Sequence, residues 1–306
     1  MYNLNMEHGN LAHDSKDLER IRRLRLIDDD FMSVCFDNYN EGAELLLKII
    51  LGRDDLRVTQ VRTQRVLKNL NGKDICLDIL AVDSGNNYYN FEIQRSDEGA
   101  DRRRARYHSS MLDSHMLESG CKVTDLRENY VIFITEHDVL GGSIPLYRIE
   151  RKIIDTDELF NDGEHIIYVN GSDKNCSTEL GQLMHDFYCE DSKDMIHKEL
   201  ADRVKYYKED EGGVGEMCKI LEDMRNEAEE RGVKIGEARG VKIGEARGVK
   251  IGEERGVKIG EERGVKKARL QNASRMIADG LDLTIVAKYS GLTLSQVKEL
   301  AGTEPA

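Results

Sequence analysis

Two strand-like segments joined by a short polar turn give the strongest pattern along the chain. Residues 74–83 are mainly β-branched and apolar, whereas residues 87–94 alternate aromatic or aliphatic side chains with polar ones. The sequence Ser-Gly-Asn at 84–86 is a turn signal between two such segments. The pattern therefore predicts a β-hairpin that forms the second and third strands of a sheet.

The acidic residues of this hairpin fall into register with each other. If the hairpin is centred on Gly85, residues equidistant from that glycine face each other, so Asp78 lies opposite Glu92. Gln94 follows two residues later and shares the face of Glu92. Two facing carboxylates repel, and their burial is costly unless another charge offsets them. A divalent cation would do so, and oxygen ligands of this kind suit Mg²⁺.

An ordinary antiparallel pair of solvent-facing acids is the alternative interpretation of Asp78 and Glu92. Apolar residues occur on both faces of the strand around Asp78, so neither face is typical of a freely solvated surface. This pattern favours a buried pair of acids.

The segments around the hairpin predict an α-β-β-β-α-β order for the first domain. Periodicity indicates amphipathic helices where apolar residues recur every three to four positions, and strands where they alternate. The predicted elements are a helix at 28–51 interrupted near 38–40, strands at 58–67 and 130–135, a polar, arginine-rich helix at 99–117, edge strands at 144–154 and 165–169, and a closing helix at 178–207.

An ordered series of short motifs resembles the Rpn family of recombination-promoting nucleases and putative transposases, within the PD-(D/E)XK nuclease superfamily. The resemblance covers roughly residues 25–210. The matching segments are Asp28-Asp-Asp-Phe31, Phe36, Leu77-Asp-Ile-Leu80, Asn90-Phe-Glu-Ile-Gln94, Arg104-Ala-Arg-Tyr107 and Tyr130-Val-Ile-Phe-Ile-Thr135.

The resemblance implies an α/β, restriction-endonuclease-like fold, in which helices flank a mixed sheet. Asp78 matches the first acid of the family site, and Glu92-Ile93-Gln94 matches its E-x-K motif with glutamine in the lysine position. The implied activity is a DNA endonuclease that hydrolyses phosphodiester bonds with Mg²⁺, or Mn²⁺, held by Asp78 and Glu92, in recombination or transposition. Gln94 can hydrogen-bond water or a phosphate oxygen, but it cannot supply the positive charge of a lysine. The alternative is a catalytically weak or inactive nuclease fold that acts as a DNA-binding or regulatory module.

Two further groups are candidate site residues. Glu44 lies on the first helix, where the superfamily often places a third metal ligand; a solvated helix face is the alternative. The dense basic run on the helix after the hairpin is expected to contact DNA phosphates, although pairing with the nearby acids at 97, 98 and 101 is the alternative. The side chains proposed for DNA binding are Arg102, Arg103, Arg106 and Tyr107.

Composition qualifies this picture. The net charge of −13 is unusual for a nucleic-acid enzyme, so DNA binding would need local basic surface. The six cysteines are scattered, without C-x-x-C or a histidine at ligand spacing, and are interpreted as reduced, mostly buried thiols. The N-terminal residues do not resemble a signal peptide, and the chain lacks an 18-residue apolar stretch. We therefore expect a cytoplasmic protein that does not contact a membrane.

Tandem octads form the second landmark of the chain. The sequence RGVKIGEA begins at Arg231, repeats at 239–246, and continues as RGVKIGEE to residue 262 before it decays at 263–266. Each glycine inside a helix costs roughly 1 kcal/mol relative to alanine, which favours a helical or fluctuating spacer. The alternative is a glycine-striped helix that pairs with a second copy, so that a homo-oligomer forms through the C-terminal helical region.

The residues after the octads predict a small helical module. Asp282 is a candidate N-cap, Gly291 a helix breaker, and Thr293-Leu-Ser-Gln296 a capping box for the last helix. The spacing resembles a helix-turn-helix, with DNA binding and protein contact as alternative roles. The predicted parts are an N-terminal extension at 1–24, the nuclease-like domain at 25–210, a connecting helix at 211–230, the spacer at 231–266 and the module at 267–306.

Overall fold

A computed structural model describes residues 15–69 and 72–303 of the chain. The chain divides after Asp223 into two compact units, which are described separately. The first unit is an α/β structure with a six-stranded mixed sheet flanked by helices, as predicted. The second unit consists of helices.

The sheet has the strand order β1-β2-β3-β4-β8-β5. Its first three strands form an antiparallel meander, whereas β4 is parallel to both β3 and β8, and β5 is antiparallel to β8. A separate two-stranded sheet joins β6 and β7. The strands are β1 (Val58–Leu67), β2 (Ile75–Asp83), β3 (Tyr88–Gln94), β4 (Asn129–Thr135), β5 (Leu146–Ile149), β6 (Lys152–Ile153), β7 (Glu158–Leu159) and β8 (Glu164–Asn170).

Helices cover both faces of the sheet and enclose two hydrophobic cores. The larger core unites α1, α2, α3, α5, α6 and the start of α7 with one face, and α4 packs on the other. The helices of the first unit are α1 (Ser15–Arg23), α2 (Asp29–Phe36), α3 (Asn40–Leu51), α4 (Arg102–Met116), α5 (Glu179–Tyr188) and α6 (Lys198–Glu209). The observed helix break between α2 and α3 confirms the predicted interruption near 38–40.

Four elements of the first unit differ from the predictions. The edge strand predicted at 144–154 is divided between β5, at the edge of the six-stranded sheet, and β6, in the separate two-stranded sheet. The helix predicted at 178–207 is two helices, because the buried carboxylate of Asp186 accepts the backbone N–H groups of Ile196 and His197 and ends the helical path there. The strand β8 was predicted at an edge, but it lies between β4 and β5. The predicted N-terminal extension includes α1, whose Ile21 is buried in the larger core; residues 1–14 lie outside the described residues.

The predicted register of the hairpin is confirmed for residues 79–82 and 88–91, whereas the predicted pair Asp78–Glu92 lies beyond the paired residues. The four pairs run from Val82 opposite Tyr88 to Ile79 opposite Phe91, each equidistant from Gly85. Beyond the last of these pairs the ladder opens, and the carboxylate of Asp78 accepts the N–H of Ile93 at 2.9 Å. A side chain thus replaces a backbone partner, and the two strands separate where the predicted acids lie.

The second unit begins within α7 (Glu211–Ala278), which is helical through the octads. The octad valines and isoleucines are largely exposed, and a Cβ added at any octad glycine would meet nothing within 4 Å among the described atoms. This helix is followed by α8 (Leu283–Ser290) and α9 (Leu294–Thr303), which pack with the end of α7 around Ala273, Val286 and Val297.

Cap residues of the C-terminal helices are where the sequence places them. The Asp282 carboxylate accepts the N–H of Thr284, and Gly291 ends α8 in the left-handed conformation at φ 67°. The capping box is complete, because Thr293 Oγ1 accepts the N–H of Gln296 while the Gln296 amide accepts the N–H of Thr293. Local sequence therefore determines this module closely.

Candidate functional site

Asp78 lies in the opening between β2 and β3 and is 8% exposed. Burial, followed by the charges of Glu92 and Asp29, raises the pKa of its carboxyl to about 8, against the opposing effects of the Ile93 N–H and the Arg104 guanidinium. If this buried carboxyl ionises, one backbone donor beside two acidic neighbours compensates its negative charge poorly. It is therefore a group that a cation would stabilise.

Glu92 is fully buried on the face of β3 that α4 covers. Its Oε2 accepts from the Arg104 guanidinium at 2.9 Å, and its Oε1 accepts from the Asn90 amide at 3.1 Å. The Nδ1 of His108 lies 3.2 Å from the same Oε1. Arg104 and His108 lie four residues apart on α4 and so share one face of the helix. The helix therefore directs two nitrogen-bearing side chains at one buried carboxylate.

Asp29, at the first position of α2, is the third acid of the cluster. Burial raises the pKa of its carboxyl, as do the charges of Asp30 and Glu92, while Arg104 lowers it. Asp29 also acts on the charge of Asp78. The Asp28–Phe31 motif marked this segment, but its periodicity gave no sign that Asp29 approaches the hairpin, since that proximity comes from the packing of α2 on the sheet.

Glu44 lies elsewhere, which corrects the expectation that it completes this cluster. Its carboxylate pairs with Lys48 at 2.8 Å and Arg57 at 3.0 Å, and accepts the N–H of Val58 at 3.0 Å. Val58 pairs with Asp83, at the hairpin end of β2, and five residues of extended strand from Asp78 span roughly 17 Å. Glu44 therefore ties α3 to the start of β1.

Gln94 ends β3 and its side chain lies against Gly99. A Cβ at position 99 would come within 1.7 Å of the Gln94 amide oxygen, so a larger residue there would displace the flexible Gln94 side chain. Among the described residues the Gln94 amide makes no hydrogen bond, which leaves it available to a water or a phosphate oxygen. Arg95 points to the opposite face, as strand alternation requires, and pairs with Asp28 and Glu136.

The basic run on α4 divides into one inward arginine and three outward ones. Arg104, which was not among the predicted DNA contacts, is the residue that enters the acidic cluster. Arg102, Arg103 and Arg106 are exposed and pair with no side chain that the structure describes. Tyr107 differs from the expected phosphate contact, since its hydroxyl accepts from the Asn69 amide and donates to the Lys73 carbonyl. It thereby holds the β1–β2 connection.

The strand opposite Asp78 carries a strained residue. Thr63 pairs with Ile79 and Arg65 with Leu77, so Gln64 between them faces Asp78. Its φ of 50° is in the left-handed region, which costs a residue other than glycine on the order of 1–3 kcal/mol. Gln64 is held there by hydrogen bonds with Ser33 and Cys76. Backbone strain thus coincides with the acid-lined opening.

The donor set of the cluster fits a hard divalent cation. Asp29, Asp78 and Glu92 offer carboxylate oxygens, the ligand type that Mg²⁺ and Mn²⁺ prefer. Among the described residues, Arg104 contacts Glu92 directly and acts on the charges of Asp29 and Asp78. Within the part of the chain that the structure describes, the buried amide oxygen of Asn90 accepts no hydrogen bond. A further group in the cluster would be needed to donate one to it.

The cysteines differ from the expectation that they are mostly buried and lack a histidine at ligand spacing. Only Cys35 is fully buried among the six, while Cys76, Cys121 and Cys176 are exposed. A histidine also lies at ligand spacing, because His185 precedes Cys189 by four residues at the end of α5. The spacing was visible in the sequence, but the role of Asp186 between them was not.

Comparison with known proteins gives no match: no family model, no curated protein and no solved structure is significantly similar to the chain. No helix of the described residues combines the length and the apolar character needed to cross a bilayer. The functional interpretation therefore depends on the motifs and on the geometry of the acidic cluster.

Proposed function

We propose that the first unit is a Mg²⁺-dependent endonuclease that hydrolyses phosphodiester bonds in DNA. The observation that carries this proposal is the convergence of Asp29, Asp78 and Glu92 at an opening in the sheet, next to Arg104. Acidic clusters that are poorly compensated and lie in an opening are typical of functional sites. The resemblance to Rpn-type nucleases, with recombination or transposition as the setting, adds support.

Asp78 and Glu92 would hold the ion, with Asp29 as a third oxygen donor. When bound, Mg²⁺ supplies positive charge at the scissile phosphate and lowers the pKa of a coordinated water. The chain's own contribution is to fix the carboxylates: the N–H of Ile93 orients Asp78, and Asn90, Arg104 and α4 orient Glu92.

We propose that Arg104 supplies the positive charge that the lysine of an E-x-K motif would provide and that Gln94 lacks. The guanidinium is 38% exposed, so it reaches both the buried Glu92 and the surface of the opening. Once an ion neutralises Glu92, the guanidinium is free to face a phosphate oxygen, where arginine binds well through its paired N–H groups. Gln94 orients water or phosphate by hydrogen bonding alone.

DNA is the proposed substrate because the exposed face of α4 is basic. Arg102, Arg103 and Arg106 lie beside the inward Arg104 and have no acidic partner among the described side chains. Such arginines contact phosphates without sequence preference, and their contribution falls as salt concentration rises. This local surface answers the objection raised by the net charge of −13.

One observation favours the alternative of a weak or inactive nuclease fold that binds DNA. Both oxygens of Glu92 already have partners, Asn90 on one and Arg104 on the other, so an ion must compete with them. If that competition fails, the arginine surface still binds DNA without cleavage.

Nicking of supercoiled plasmid tests the proposal directly. The full chain should nick plasmid with Mg²⁺ or Mn²⁺ and lose this activity in EDTA. Glu41, an exposed acid on α3, offers the matched control: Glu41→Gln should nick as the wild type does, and Asp78→Asn should not. Nicking that persists in EDTA or in Asp78→Asn contradicts the proposal, and DNA binding without nicking under every metal condition supports the alternative.

A further inference from the structure

A second cluster of metal-ligating side chains lies at the C-terminal end of α5, outside the acidic cluster. His185 and Asp186 occupy its last turn, and Cys189 follows as the C-cap residue. One ligand atom from each residue lies within 4.8 Å of the other two. His185 and Cys189 are four residues apart and so share a face of the helix.

Two of the three separations between these atoms match the edges of a tetrahedral site. Cys189 Sγ lies 3.6 Å from His185 Nδ1, and that nitrogen lies 3.3 Å from Asp186 Oδ1. Zinc bonds of about 2.3 Å to sulfur and about 2.1 Å to nitrogen and oxygen, at tetrahedral angles, place S and N about 3.6 Å apart and N and O about 3.4 Å apart. Cys189 Sγ also lies 4.0 Å from His185 Nε2 and therefore over the ring face, so the His185 ring must turn about its Cβ–Cγ bond to direct a nitrogen at an ion shared with the sulfur.

Asp186 is held firmly by groups that an ion would not displace. Its Oδ1 accepts the N–H of Ile196 at 2.7 Å, and its Oδ2 accepts the N–H of His197 at 2.8 Å. The ring of His197 lies 2.8 Å from the same Oδ2. Hydrogen-bonded partners of this kind orient a metal ligand. The longer contact from His185 to Oδ1 is the one that ion binding would replace.

The mixed donors identify the class of ion. A thiolate, an imidazole and a carboxylate suit Zn²⁺ or Co²⁺, whereas Mg²⁺ requires oxygen ligands. The thiol of Cys189 now contacts the carbonyl of His185 at 3.4 Å, and binding would release its proton to solvent. His185 is 36% exposed at the side chain, so an ion can reach the site.

We propose that His185, Asp186 and Cys189 bind one Zn²⁺-class ion, which fastens the end of α5 to the connection before α6. Three protein ligands leave one position for water. Through Asp186, whose carboxylate accepts the N–H groups of Ile196 and His197, the ion would reinforce a 189–197 connection that these hydrogen bonds already hold. The inference does not depend on the proposed nuclease activity.

Metal titration of the full chain tests this site. Protein stripped with a chelator should bind one equivalent of Zn²⁺, and Co²⁺ should give the absorption of a cobalt–thiolate bond. Both should be lost in Cys189→Ser and His185→Gln, and both kept in Cys121→Ser, a matched control at an exposed cysteine. His197→Ala should weaken Zn²⁺ binding by roughly 10- to 100-fold, as loss of an orienting partner does.

Outcomes of this titration decide the proposal. A cobalt–thiolate absorption of equal strength in Cys189→Ser and wild type overturns it, as does the absence of saturation at one equivalent. Because the variants at 185 and 189 alter part-exposed side chains, far-ultraviolet circular dichroism checks that they fold. Asp78→Asn should bind Zn²⁺ as the wild type does, which separates this site from the acidic cluster.

Discussion

The first unit contains two clusters of ionisable side chains that differ in how their buried aspartates are compensated. Burial raises the pKa of the Asp78 carboxyl to about 8, with one backbone donor and two acidic neighbours. Burial also acts on Asp186, but hydrogen bonds from His197, Ile196 and His185 outweigh it, and the pKa of that carboxyl is lowered. Burial alone therefore does not determine the charge of an aspartate in this fold.

The difference follows from the donors that surround each carboxylate. Asp186 is satisfied by the protein and fixes the connection between two helices, with or without an ion. Asp78 has one backbone donor and two acidic neighbours, so the fold disfavours its charged form, and ionisation would require a further cation that the chain does not supply. The first arrangement is structural and the second is typical of a reactive site.

The largest expected effects separate the two clusters. Glu92→Gln should lower Mg²⁺-dependent nicking on the order of 10³-fold, the scale on which loss of a group that stabilises transition-state charge is felt, and should leave Zn²⁺ binding unchanged. Cys189→Ser should abolish Zn²⁺ binding and leave Mg²⁺-dependent nicking unchanged. Plasmid nicking and Zn²⁺ titration on both variants measure this, and a variant that loses both activities would show that the clusters are coupled.

Arg104 provides the next effect in size. Arg104→Gln should lower nicking by roughly 100-fold, because it removes the cation beside Glu92, whereas Arg104→Lys should retain part of the activity. The neighbouring Arg103 is exposed and serves as the comparison: Arg103→Gln should weaken binding to DNA in low salt but leave the rate at saturating DNA unchanged. Equal losses of rate in the two glutamine variants would contradict the role given to Arg104.

Gln94 should have a smaller effect than the acids. Gln94→Ala removes a hydrogen bond to water or phosphate and should slow nicking by about 5-fold, in line with a net hydrogen-bond contribution near 1 kcal/mol. Gln94→Lys should remain active, since it restores the residue of the E-x-K motif. A loss in Gln94→Lys as large as in Asp78→Asn would show that position 94 has been assigned the wrong role.

The raised pKa of Asp78 predicts a pH dependence of stability in metal-free protein. Between its unfolded value of 3.8 and about 8, the unfolded chain has released a proton that the folded chain retains, so rising pH destabilises the fold. Asp78→Asn cannot ionise, and its melting temperature should exceed that of the wild type by more at pH 8 than at pH 5. The exposed Asp54 gives the control, since Asp54→Asn should show a difference that is the same at both pH values.

The octads should give the smallest effect on the first unit. Deletion of 239–246 rejoins two copies in register and shortens the helix by about 12 Å. Intrinsic nicking and the melting temperature of the first unit should stay unchanged, because the octad side chains are exposed. Affinity for long DNA and oligomeric state are the properties that should respond. Marked destabilisation of the first unit would mean that the octads are not a spacer.

The sequence predicted the hairpin well because its information is local. Turn chemistry at 84–86 and alternation on both sides determine the pairing of Ile79 with Phe91, and cap residues determine the C-terminal helices. The same reasoning placed Asp78 and Glu92 together. It depended only on residues close in the chain.

Site residues that depend on tertiary packing could not be predicted in this way. Asp29 approaches the other acids only because α2 packs on the sheet. The sequence did not distinguish Arg104 from the neighbouring arginines, because only the packing of α4 shows which of them faces the sheet. Glu44 satisfied the helix pattern equally well but pairs with Lys48 and Arg57. Periodicity predicted one continuous helix at 178–207. The structure has two helices there, and the Asp186 carboxylate accepts two backbone N–H groups from the residues just before the second.

The hydrogen bond between Asp78 and the N–H of Ile93 has a consequence for the genetics of this protein. A substitution at position 78 removes a proposed metal ligand, and it also removes the acceptor of the Ile93 N–H unless the new side chain keeps an oxygen there. Asparagine keeps an oxygen for that amide, so, if the proposed function is correct, it should give a stable, inactive protein that still occupies DNA and acts dominantly. Alanine leaves a buried amide unpaired, at about 1–3 kcal/mol, so its product is expected at lower abundance and as a simple recessive loss. Two alleles that are equally inactive in a test tube would thus differ in a cell.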